Sequence, residues 1–190
     1  MTEQLPLNTA PLPVKLRLED YLLLDESGAF DAYAKTELIE GEIVFMNAQH
    51  RAHARIKTRL LVQLARVLGD LGGNLEAIVE GSVAIPPSNA PEPDIVVTSE
   101  PEGAGLIPLE SVRLVIEVAD TTLANDLSVK AVVYARTGVP EYWVVDVENR
   151  IIHQLWRPEG EAYGERRELA IGEPIAAATI EGLTVKTDGL

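Results

Sequence analysis

The sequence predicts a single α/β (α+β) domain, and three observations predict it. Residues 95–97, 113–118 and 141–146 are short runs of β-type residues, nearly continuous in apolar side chains, as expected of strands buried on both faces. Residues 50–71 and 123–136 instead repeat apolar residues at helical spacing, so two longer helices should pack on those strands. Residues 37–46 and 141–156 each set a short turn between two β-type runs, the pattern of antiparallel hairpins. At 190 residues, 46% hydrophobic and 24% charged, the chain is long and apolar enough to bury one substantial core.

The elements follow in chain order. Residues 1–15 hold three prolines and no periodicity, so they predict a flexible arm ahead of a domain spanning 16–190. Residues 16–24 suit a short helix and 25–36 a polar connection. The segment ELIEGEIVFM, residues 37–46, turns at Glu40-Gly41, and Glu37, Glu40 and Glu42 read as solvent-facing acids of an edge hairpin. In the 50–71 helix, Ile56, Leu60, Leu64 and Val67 form the inward stripe. His53 falls on that stripe, as a core histidine or an active-site group. Arg51, Arg55, Arg59 and Arg66 lie opposite, as a solvated ridge or a phosphate-contacting surface.

Gly72-Gly73 stops the helix, and residues 75–85 supply one or two strands. A loop with Pro86, Pro87, Pro91 and Pro93 then delivers Asp94 onto the 95–97 strand, where, taken alone, its carboxylate suits a cap on the turn. A loop over 99–111 precedes the 113–118 strand. Asp120-Thr121-Thr122 has helix N-cap character, and the helix over 123–136 ends at Thr137-Gly138 and Pro140. Residues 141–146 and 151–156 form a hairpin through Glu148-Asn149, with Trp143 and Trp156 as core or interface aromatics. Residues 158–167 read as polar loop, and 169–185 as short closing strands.

Composition excludes several functions. There is no cysteine, which removes disulfides, thiolate metal sites and cysteine nucleophiles. No stretch has the length of a membrane span and the N-terminus lacks the pattern of a signal peptide, so a cytoplasmic protein is expected. A net charge of −14 disfavours loose, charge-driven binding to nucleic acid but leaves room for a local basic patch. Charge is segregated, with five Lys or Arg and no acid over 50–66, then eight acids and no Lys or Arg over 67–112. His50 and His153 lack a second histidine at ligand spacing, and neither a phosphate-binding glycine loop nor a serine elbow is present.

Three ionisable groups occupy positions that should be apolar. Glu117 lies inside the 113–118 strand, where a carboxylate stays ionised only with a cation or donors beside it. Asp94 enters the neighbouring strand. Lys130 lies on the helix face between Leu123 and Tyr134, and Asp126 one turn earlier offers it a surface i,i+4 pair. Two carboxylates on adjacent strands suit one hard cation, magnesium or manganese, and an ammonium beside them suits phosphodiester hydrolysis.

The segments EPDIVV, LVIEVAD and TTLANDLSVKAVVYARTGVPEYWVVD closely resemble the Uma-type (DUF820-like) family of bacterial endonucleases in the restriction-endonuclease-like PD-(D/E)XK superfamily. ELIEGEIVFM and the start of the His53 helix extend the resemblance over about residues 16–185. It implies a mixed central sheet flanked by helices and a DNA substrate. It also implies metal ligation by Asp94, Glu117 and the Val118 carbonyl, with Lys130 as catalytic lysine. Ala119 stands where the superfamily signature has lysine, a role the resemblance moves to Lys130. His53, Glu42 and Asp126 are carried as supporting groups. Two other readings remain, a non-catalytic DNA-binding or interaction protein on the same fold and a hydrolase of small phosphoesters. A homodimer is expected, with the Trp143–Trp156 hairpin as its candidate interface.

Overall fold

The computed structural model describes residues 12–46 and 48–190, so most of the expected N-terminal arm lies outside the described residues. In chain order the elements are α1 (Leu18–Glu26), β1 (Thr36–Ile39), β2 (Glu42–Phe45), α2 (Arg51–Leu71), β3 (Glu76–Val79), β4 (Val83–Ala84), β5 (Ile95–Thr98), β6 (Ile107–Pro108) and β7 (Val112–Ala119). A helical run follows, made of α3 (Leu123–Asn125), a π-helical stretch (Asp126–Lys130) and α4 (Ala131–Arg136). The chain closes with β8 (Glu141–Asp146), β9 (Ile151–Glu159), β10 (Ala162–Ala170), β11 (Ile175–Ala176) and β12 (Thr184–Val185).

Six strands form the central sheet in the order β10-β9-β8-β7-β5-β3. The sheet is mixed, because β7 and β8 are parallel while every other neighbouring pair is antiparallel. Parallel neighbours need a crossover, and the helical run supplies it. Alternation along β7 explains its continuous apolar sequence. Leu114, Ile116 and Val118 pack with Ile56, Leu60, Leu64 and Leu68 of α2, whereas Val115 and Ala119 pack with Val133 and Tyr134 of α4 and with Ile39 of β1. Each such side chain contributes about 1.5–3 kcal/mol on burial, which fixes the register of β7 between two helical layers.

The hairpin of β1 and β2 turns where expected, with Glu40 at φ 51° and Gly41 at φ 75°, the geometry of a tight primed turn. A Cβ on Gly41 would come 2.8 Å from the Lys15 Cβ, so only glycine fits. Gly72, at φ 71°, ends α2 as expected.

One expectation is corrected. Residues 158–167 are not a loop, since β9 and β10 pair across them from Ala162↔Glu159 to Ala170↔Ile151. β10 is an edge strand that is largely solvent-exposed, so its polar composition resembles that of a loop. Trp143 takes the first of its two expected roles, fully buried in the core, while the half-buried Trp156 packs under Arg167, 5.8 Å from ring centroid to guanidinium carbon. Among the described residues, no helix is long and apolar enough to cross a membrane.

Candidate active site

The site forms where β5 begins against β7. Ile95 pairs with Ile116, so Asp94 lies just beyond the ladder, beside Glu117. The Val118 N–H donates to Asp94 Oδ2 at 2.8 Å, an unusual use of a side chain to continue a strand ladder. Oδ1 reaches the other way, to α2, where His53 Nε2 is 2.9 Å away and Lys57 Nζ 3.4 Å. An ionised carboxylate only accepts, so His53 Nε2 carries the proton. Burial pushes the Asp94 carboxyl up, but the hydrogen bond and charge of His53, the Val118 N–H and Lys57 outweigh it and hold the group below its usual range. Asp94 is thus a cross-strand and cross-layer group rather than a local turn cap.

Glu117 points to the opposite layer. Its Oε1 accepts from Lys130 Nζ at 2.8 Å and from the Tyr134 hydroxyl at 3.4 Å, while Oε2 has only a 3.4 Å contact with the Asp94 N–H. Burial raises the Glu117 carboxyl to about 8, with Lys130 opposing the rise and Asp126, Asp94 and Glu37 adding to it. Burial works against the Lys130 charge, yet Glu117, Glu37 and Asp126 raise it above its ordinary value. Lys130 therefore stays cationic, while burial favours the protonated form of Glu117. The π-helical stretch ends at Lys130 and sets the angle at which its ammonium returns over the sheet.

Several expectations are corrected here. Glu37 is not solvent-facing: it is 1% exposed. Lys130 Nζ lies 3.1 Å from both of its oxygens, donating to Oε1, which also accepts the Glu92 N–H at 3.0 Å. Among the described residues, Oε2 is buried without a hydrogen-bond donor. Glu42 is not brought to the cluster; it is exposed and paired with Lys15 at 2.6 Å. Glu40 is at the surface as expected, where it pairs with Arg136. Asp126 is buried, accepts from Thr122 Oγ1 at 2.5 Å and forms no surface pair with Lys130. Burial raises its carboxyl, with Lys130 opposing.

Lys57 belongs to the basic 50–66 segment, whose composition alone does not distinguish it. It is buried and holds Glu80 Oε1 at 2.6 Å and Gln49 Oε1 at 2.7 Å. The helical wheel carried the signal, because Lys57 lies about 20° from Leu64 at 100° per residue.

These groups open into a cleft of about 340 Å³, lined among others by Glu37, Glu92, Asp94, Glu117, Asp120 and Asp126. Against those six carboxylates stand two lysines, Lys35 and Lys130, with His50 and His53. His50 Nδ1 donates to Asp120 Oδ2 at 2.7 Å, and Lys35 pairs with Glu92 at 3.1 Å. A phosphate does not enter so acidic a cleft without a cation. Glu117 Oε2 and a second lone pair on each Asp94 oxygen remain available, and such hard oxygen donors suit magnesium or manganese. Among the described residues no three His, Cys, Asp or Glu side chains group as a metal cage. Two carboxylates, a backbone carbonyl and water would have to suffice, which is an ordinary magnesium ligand set.

The profile of the Uma2 family, described as "Putative restriction endonuclease", matches residues 18–188. No curated protein sequence matches the chain. Among solved structures, the chain is similar to a protein from Anabaena variabilis described as a "putative nuclease belonging to DUF820". The two are 18% identical over 93% of this chain and 97% of the other, with a TM-score of 0.67. At that identity the likeness speaks for the fold, a mixed sheet with flanking helices and antiparallel hairpins.

Proposed function

The chain belongs to the Uma2 family, and from that premise we propose that it is a divalent-metal-dependent endonuclease that hydrolyses phosphodiester bonds in DNA. The observation that carries this reading is the convergence of Asp94, Glu117 and Lys130 from two strands and a helix into one acidic cleft. Asp94, Glu117 and the Val118 carbonyl would hold the metal. When bound, a magnesium or manganese ion supplies Lewis acidity to a phosphoryl oxygen and acidifies water.

The protein groups divide the remaining work. His53, Lys57 and the Val118 N–H keep Asp94 ionised and fix its direction. Lys130, held by Glu37 and Glu117, places a permanent ammonium where it can donate to the attacking water or to the phosphoryl oxygen that gains charge. Water bonds to phosphorus and releases one proton to solvent as the bond to the leaving nucleoside oxygen breaks, and that oxygen takes up a proton from solvent, leaving a phosphate monoester and a free hydroxyl. The Trp143–Trp156 hairpin, β8–β9, is the candidate surface for a homodimer through its partly exposed Trp156 edge, and sedimentation of the purified protein tests it.

The decisive experiment is cleavage of plasmid and oligonucleotide DNA with magnesium or manganese. Asp94→Ala, Glu117→Ala and Lys130→Ala should each abolish it, and unchanged cleavage in all three contradicts the assignment. The net charge of −14 favours a second reading, a nuclease-fold protein that does not turn over. Failure to bind magnesium in calorimetry would favour that alternative.

A further inference from the structure

We propose that the β1–β2 hairpin at the cleft mouth is a stacking platform for an unpaired base, so that the strand entering the cleft is single-stranded; this rests on the nuclease reading above. Phe45, at the end of β2, is 62% exposed and Tyr33 is 51% exposed. Their rings lie 5.5 Å apart, tilted by 38°. Exposed ring surface is unfavourable in water, and a third ring stacked over it removes that surface from solvent. Phe45 and the adjacent Met46 also line the cleft that contains Asp94, Glu117 and Lys130, so whatever occupies the candidate catalytic site meets the Phe45 ring.

Charge selects the occupant. Duplex binding draws its strength from many Lys and Arg contacts to phosphate, and this cleft holds six carboxylates against two lysines. A bound strand must therefore gain affinity from contacts that do not depend on charge. Stacking of a base on an aromatic ring is such a contact, and it tolerates any base. A cleft of about 340 Å³ is in the range that takes one small ligand, here a single splayed nucleotide, and not a double helix. Nearby cations that could track the flanking backbone are at the start of α2. Arg51 follows His50, which lines the cleft, and Arg55 is one turn on. Both are exposed, and neither forms a salt bridge among the described residues.

The test uses the full chain carrying Glu117→Gln in saturating magnesium, so that a cation is present and substrate survives, and fluorescence anisotropy with a labelled single strand and its duplex. The single strand should bind more tightly than the duplex. Phe45→Ala should weaken single-strand binding about 5- to 150-fold without changing its salt dependence, and Phe45→Trp should restore it. Arg51→Ala or Arg55→Ala should instead lower the salt slope by about one. Equal affinity for duplex, or Phe45→Ala binding like its parent, overturns the proposal. So does a dimer that Phe45→Ala converts to monomer, since a second copy would then cover the platform. Cleavage by the unsubstituted protein separates the two readings. Phe45-dependent strand binding without cleavage sustains the platform and removes the nuclease; duplex cleavage indifferent to Phe45→Ala does the reverse.

Discussion

Glu117 and Glu141 are buried glutamates on the adjacent strands β7 and β8, and they are satisfied in opposite ways. Glu141 accepts from five neutral donors: Trp143 Nε1 and Gln154 Nε2 at 2.6 Å, and the Ala178 N–H, Thr179 N–H and Thr179 hydroxyl at 2.8 Å. Fixed dipoles surround it and no cation is needed, so it pins the segment after β11 to the sheet. Glu117 has one cation, one distant hydroxyl and an oxygen with a single long contact, and it faces a cleft. Burial alone therefore does not mark a functional carboxylate. Unused acceptor capacity beside an opening does.

Substitutions separate the two roles. The largest effect on folding should come from Glu141→Ala, which orphans five donors and costs on the order of 5 kcal/mol. In a domain of this size each kcal/mol shifts Tm by about 2–4 °C, so thermal unfolding should move down by roughly 10–20 °C while activity per folded molecule persists. Lys130→Met should cost about 3–5 kcal/mol, because Glu37 and Glu117 lose their shared cation, and it should also remove cleavage.

Glu117→Gln should lower cleavage by at least about 10²- to 10³-fold yet leave the fold as stable or more so. The pH dependence has a definite sign. A carboxyl raised to about 8 binds its proton more tightly in the folded state, so its contribution is present at acid pH and is lost as pH rises from about 4.5 toward 8. In metal-free buffer, Glu117→Gln should flatten the fall of Tm across that window. A parallel curve would show that Glu117 is as well satisfied as Glu141. The smallest of these effects belongs to His53→Ala, which should weaken manganese affinity about 10- to 100-fold by releasing Asp94, with little change in Tm.

Legibility differed between fold and site for physical reasons. The strands over 95–97, 113–118 and 141–146 and the helix over 50–71 were readable because burial on one or two faces imposes a periodicity. The β9–β10 hairpin was only half readable, since an exposed edge strand feels little such pressure on its composition. At the site, Glu117 and Lys130 stood out as charges on apolar faces. Glu37 did not, because a four-residue strand beside a turn looks solvated until the π-helical stretch brings Lys130 over it. Glu141 escaped notice for the related reason that its donors at 178–179 are remote in sequence. The π-helical stretch from Asp126 to Lys130 has no marker in its residues.

The most direct test is to soak crystals of the protein in manganese chloride and locate the ion by anomalous scattering. The account predicts an ion bound by carboxylate oxygens of both Asp94 and Glu117, with Lys130 still held by Glu37. Manganese found only elsewhere, with Glu117 closed by Lys130 as a self-contained pair, would contradict it.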